Sequence, residues 1–233
     1  MTTPLVVAPD PLAAFPGPVR WALTRQPLSE PLLPRLQPQL TLEQVYALCL
    51  AQGLVPDALR VIAAVLPVRE SIWWAWVSVR YAMQREDGTP PSAEAHAAVS
   101  AIEQWIVRPD DENRRTAWQA GRAAGVDTPA GMVAAAVYLS GGSVAPPGVT
   151  PVPPPPGGTL PLITGAILLS AVGGKDPAQL PATMQAFAAQ GLEIVKRLGG
   201  WPAALQLAHE SHQRAVLEYQ RATGSDGAAG APR

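Results

Sequence analysis

The sequence predicts an all-α protein of about nine helices, and three observations carry that prediction. Apolar residues recur at helical spacing through almost every segment after Thr41. Cap residues precede these segments, and glycine or proline follows them. No run alternates at period two for long enough to make a sheet strand. Helix-turn-helix pairs without a repeat period favour a compact multi-helix bundle over a solenoid.

Prolines divide the chain. Of 27, nine fall in residues 1–38, eight in 146–161 and six between 56 and 129. Residues 1–38 therefore read as a proline-rich arm, extended because proline denies helix and sheet their amide donors. The leucines of "PLLPRLQPQL" would lay its end against the core. A single helical domain is expected over 39–222. It comprises N-terminal helices (39–140), a Pro/Gly-rich extended connection (141–161) and C-terminal helices (162–222), with a flexible tail at 223–233.

Within the domain, "TLEQVYALCLAQG" opens on a Thr41/Gln44 capping box and closes at Gly53. "DALRVIAAVL" is stopped by Pro67, and the next helix runs from Val68 to Gln84. Ser92 caps "SAEAHAAVSAIEQWIV". "DDENRRTAWQAGRAA" has an acidic first turn and ends at Gly125. "TPAGMVAAAVYLS" starts from Thr128 with Pro129 in its first turn, and Gly141 terminates it. "LPLITGAILLSAV" (160–172) is a core helix, too short for the ~20 residues of a membrane span. Peripheral membrane association through it is the alternative. Helices near 177–198 and over 201–222 complete the bundle; the first carries Leu180, Met184, Phe187, Val195 and Leu198 on one stripe.

Hydrophobic residues make up 48% of the chain and charged residues only 15%, against ~25% in an ordinary domain. A net charge of −1 sets up no field that would draw the protein to nucleic acid or an anionic membrane. Cys49 is alone and cannot form an internal disulfide, which fits a reducing compartment. The first 20 residues lack a basic region and are cut by prolines, so no secretory leader is expected and the location is read as cytoplasmic.

"ESIWWAWVSVR" (70–80) places three of the seven tryptophans within four positions. At 100° per residue, Ile72, Trp76, Val79 and Met83 share one arc, and Trp73, Trp74, Val77 and Tyr81 another. Ser78, Ala75 and Ala82 form a strip small enough for a neighbouring helix to approach. A helix apolar all round is a buried central helix. Ile72, Trp73 and Trp76 are therefore assigned to the core, with Arg80 stacked on an indole. Trp74, near Ser78 and Arg85 on the wheel, is the candidate to line a groove.

"RPDDENRRTAWQAGR" (108–122) is the most polar organised stretch. Asp110–Arg114 and Asp111–Arg115 are i,i+4 pairs with the acid N-terminal. Arg114, Trp118 and Arg122 form a row one turn apart, and with Arg115 they offer arginine and tryptophan, the commonest interface anchors. That row and Trp74 are the candidate partner-binding residues. His209 and His212, three apart, could offer two nitrogens to a metal, but structural zinc needs four ligands, and Cys49 and His96 are distant. "SGGSVAPPG" (140–148) follows a helix instead of opening one, which argues against a phosphate loop. No catalytic residue, metal or cofactor is expected. The competing reading is an enzyme or small-ligand binder with an interhelical pocket at Trp74, Arg80 or His212.

"LPVRESIWWAWVSVR", "RPDDENRRTAWQAGRAAG" followed by "TPAGMVAAAVYLSGGSVAPPG", and the tract "PVPPPP" occur here in that order. Together they resemble an uncharacterised family of bacterial all-helical proteins often encoded near type VI secretion genes, over residues 40–200. The resemblance implies no catalytic residues. It implies a cytoplasmic accessory, an adaptor or chaperone that binds a protein partner, a secretion-system component or effector, before loading.

Overall fold

Most helices of this protein start where the sequence supplies a cap or a proline, and the order of those signals sets the architecture. The computed structural model describes residues 10–84, 91–173 and 177–223. Among them are ten α-helices and no strand: α1 (Gly17–Thr24), α2 (Leu42–Ala51), α3 (Val55–Val65), α4 (Val68–Met83), α5 (Ala93–Val107), α6 (Asp111–Ala124), α7 (Pro129–Tyr138), α8 (Thr159–Val172), α9 (Leu180–Arg197) and α10 (Trp201–Thr223). The Thr41/Gln44 capping box is complete, and Ser92, Asp110 and Thr128 each accept a hydrogen bond from the backbone amide three residues on.

Two helices carry the bundle. α3 packs against α1, α2, α8, α9 and α10, whereas α4 packs against α5, α7, α8 and α9. One apolar cluster runs through all of them. Most of α3 is buried, including Leu59, Ile62, Ala63 and Val65. α8 turns Leu160, Ile163, Ala166 and Ile167 into the same core. The apolar run expected as a core helix is one, and among the described residues no helix is long and apolar enough to cross a membrane.

The arm departs from expectation. Residues 17–24 are helical and Leu33–Arg35 form a 3-10 turn, so the segment is not extended throughout. The reason is position: Pro18 stands in the first turn of α1, where a missing amide costs nothing and a fixed φ favours the helix. Leu12, Phe15, Leu23 and Leu32 are buried in the main core. Polar links hold the segment down as well. Asp57, 2% exposed, accepts from the Ser29 amide (3.0 Å) and hydroxyl (2.6 Å), and the Gln26 Oε1 accepts from the Thr164 hydroxyl at 2.8 Å. Residues 1–9 of the arm, residues 224–233 of the expected tail, and Arg85 lie outside the described residues.

α6 and α7 cross at glycine. A Cβ on Gly121 would sit 2.2 Å from the Ala134 Cβ, and one on Gly131 would sit 1.9 Å from the Gly125 carbonyl oxygen. Backbone cannot step aside as a flexible side chain can. Gly131→Ala is therefore expected to destabilise by about 1–3 kcal/mol, outweighing the ~0.5–1 kcal/mol alanine gains in helix propensity. Gly141→Ala, which meets nothing within 4 Å, should change stability by less than about 0.5 kcal/mol. Urea denaturation of the two variants checks this contrast.

Cys49 is fully buried in α2, and desolvation together with the Asp57 carboxylate pushes its thiol up to about 12. A thiol reagent at neutral pH should label the native protein far more slowly than the urea-unfolded chain; rapid native labelling would contradict this packing.

Candidate functional site

The tryptophan helix serves the core more than any groove. Trp74 is 0% exposed, and its Nε1–H donates to the Phe187 carbonyl of α9 at 2.9 Å. Its ring faces Gly191, where a Cβ would come within 2.7 Å. It is not a groove residue: a buried indole needs a partner for its N–H, and α9 supplies one. Ile72 is fully buried, and Trp76 donates to the Val99 carbonyl at 2.9 Å. Trp73 is half-buried and lines a shallow hollow with Ile106, Ile194 and Leu198. Arg80 is exposed, not interior, with its guanidinium 4.7 Å from the Trp76 ring centroid.

The α6 row splits into an inner and an outer part. Arg114 is 3% exposed. Its Nη1 donates to the Tyr138 carbonyl (2.7 Å), its Nη2 to the Ser143 carbonyl (2.8 Å), and its Nε to Asp111 Oδ1 (3.0 Å). The guanidinium also lies 4.9 Å from the Tyr138 ring centroid. Arg115 reaches the Ser143 and Ala145 carbonyls, both at 3.1 Å, and Asp111 Oδ2 at 2.7 Å. The expected Asp110–Arg114 pair does not form. Asp110 instead caps α6 and pairs with Arg108, leaving Asp111 to serve both arginines. Those bonds, from Arg115 and then Arg114, hold the Asp111 carboxyl below the usual carboxylate range. Trp118, half-buried, stacks on Tyr138 (5.1 Å, 10°), and Arg122 is exposed.

These arginines brace the connection after α7. The chain passes Gly142 at φ +66°, beside the Arg114 guanidinium, and doubles back. The Val144 amide donates to the Val152 carbonyl (2.8 Å), the Ser143 hydroxyl oxygen accepts from the Ala145 and Val152 amides, and Tyr138 Oη–H donates to the Val144 carbonyl (2.6 Å). The connection is thus a closed loop at its start and not extended over its whole length. Its tip presents Val149, 56% exposed, among Pro146, Pro147 and Pro151, and Val152, 49% exposed, stands at the closing pair. No charged residue occurs between Asp127 and Lys175.

The other side of the connection walls a cleft of about 370 Å3. Pro153–Pro156, Gly157 and Thr159 line it with His212, Arg214 and Glu218 of α10 and with Arg25 from the end of α1. Arg25 Nη1 donates to the Ala64 carbonyl at 2.7 Å, and its guanidinium lies 4.5 Å from the Trp21 ring centroid. Burial lowers the Arg25 pKa to about 10, which leaves it charged at neutral pH. His209 and His212 both contact the Trp21 ring, at 4.8 and 5.6 Å. Burial, then Arg25 and His209, depresses His212 below the usual imidazole value. Among the described residues no group of three or more His, Cys, Asp or Glu side chains could hold a metal ion.

Of the three pocket residues expected from sequence, only His212 lines this cleft. Arg25, Thr159 and Arg214 were not anticipated. Arg25 had one legible sign, its i,i+4 spacing from Trp21. Thr159 and Arg214 had none, because only tertiary packing brings the start of α8 to α10.

Arg114→Leu should cost about 2–4 kcal/mol, since it leaves the Tyr138 carbonyl without its charged donor and the Ser143 carbonyl with Arg115 alone. Hydrogen exchange of the 143–152 amides should accelerate with it, whereas Arg122→Ala should leave both quantities near wild type. Unchanged exchange in a folded Arg114→Leu protein would show that the loop does not depend on this brace.

No curated protein and no solved structure matches the chain. Residues 45–195, from α2 into α9, match a family of unknown function, DUF6931. That span takes in the tryptophan helix, the α6–α7 crossing and the whole braced connection, and on it the chain belongs to this family of unknown function.

Proposed function

We propose that the protein is a non-enzymatic helical interaction protein, an adaptor or chaperone accessory to a bacterial, type VI-like secretion system. The braced loop is the observation that carries this reading. An exposed, uncharged tip with Val149 among prolines sits on a base fixed by Arg114, Arg115, Ser143 and Tyr138, with the exposed Val152 at the closure. A segment ordered before its partner arrives loses little conformational freedom on docking, so more of its contact energy appears as affinity. Prolines at the tip reduce that loss further. Arg122 and the outer edge of Trp118 continue the same face of α6. The link to secretion rests on the sequence resemblance, and a cytoplasmic location goes with it.

The test is affinity capture from the native host with co-purifying proteins identified by mass spectrometry. Stoichiometric recovery of a secretion spike, effector or baseplate protein by the wild type is expected. Val149→Asp/Arg122→Ala should lose at least tenfold of it with helical circular dichroism intact. Trp118 is left unmutated because its stack on Tyr138 supports the loop base. Equal capture by the folded double variant, or no stoichiometric partner for the wild type, would count against the reading.

A further inference from the structure

We propose that the cleft between the connection and α10 binds the oxyanion group of a small molecule, a phosphate or a carboxylate, through Arg25, Arg214 and the Thr159 hydroxyl at the start of α8. The cleft falls within the ~300–1,000 Å3 range of small-ligand sites. Its charge is lopsided: two arginines line it against the single carboxylate of Glu218. Neither arginine has an ion pair among the described residues. For Arg25 this is informative, because a guanidinium largely removed from water calls for an anionic partner and has only one carbonyl and an indole face. Arg114, more deeply buried than Arg25, has a carboxylate and two carbonyls.

The start of α8 adds a neutral donor. Its first residue, Thr159, lines the cleft at 4% exposure, yet its hydroxyl makes no hydrogen bond among the described residues. Of the other first-turn residues of α8, Leu160 donates its amide to the Gly157 carbonyl and Pro161 has no N–H, so the Thr159 hydroxyl is the donor that this turn offers. An unpartnered hydroxyl and two guanidinium groups lining one cleft are a donor set that suits an oxyanion. His212, at the same wall, adds a ring nitrogen to it.

Isothermal titration of the full chain at constant ionic strength, with pyrophosphate in one arm and citrate in the other, tests the site. Saturable one-to-one binding is expected in at least one arm. Pyrophosphate alone would assign phosphate recognition, citrate alone carboxylate recognition, and both would mean that the cleft reads charge without discriminating. Arg214→Ala and Thr159→Val should each raise the dissociation constant at least tenfold. Lys196→Ala, on the far end of α9, should leave it unchanged. Arg214 is exposed and Thr159→Val preserves shape, so both variants should fold. No saturable binding by either probe, or unchanged affinity in both cleft variants, overturns the proposal. Neither variant touches the loop tip, so this outcome is independent of partner capture.

Discussion

A tryptophan inside a protein must find an acceptor for its N–H, and in this fold Trp74 finds it in another helix far along the chain. The Phe187 carbonyl receives that bond while Gly191, one turn later in α9, lets the indole lie against bare backbone. Ile62 of α3 closes the same contact, 2.9 Å from where a Gly191 Cβ would stand. The two central helices are thus locked to α9 at one point. The other helices take their places around that lock: α8 fills the angle between α3 and α4, and α5–α7 build outward from α4.

Two arginines show how the same side chain takes different parts according to its partners. Arg114 is surrounded by a carboxylate and carbonyls that account for its donors, and it serves the fold by fixing a loop. Arg25 is tied to the fold through one amine and one ring face, leaving donors turned to a cavity. Burial alone does not separate structural from ligand-facing charge; the count of satisfied donors does. The connection lies between these two environments. One arginine pair holds its start, and its proline tract forms the cleft wall opposite α10.

Local chemistry explains how much was legible in the sequence. Thr41, Ser92, Asp110 and Thr128 cap their helices through the amide three residues on, so the starts of α2, α5, α6 and α7 can be read from a short window. α1 was hidden because Pro16 and Pro18 read as breakers, although proline in a first turn starts a helix. The α6 row was legible as a row and misleading as a surface. Nothing in residues 108–122 signals that the end of α7 and the following loop close over Arg114. Trp74 likewise looks the same on a helical wheel whether its N–H faces water or a distant carbonyl. Such facts belong to the packing of remote segments, and no local pattern encodes them.

The Trp74–Phe187 contact spans 113 positions of chain, and that distance has a meaning during synthesis. At roughly 5–20 residues per second, a ribosome needs about 6–20 s to make the segment that covers the indole once the tryptophan helix has been made. Until then α3 and α4 have nothing to place over Trp74 and Ile62, and the nascent chain carries an uncovered apolar face. The fold is completed from its C-terminal side, and a chain terminated before α9 would keep that face open to aggregation for as long as it lasted.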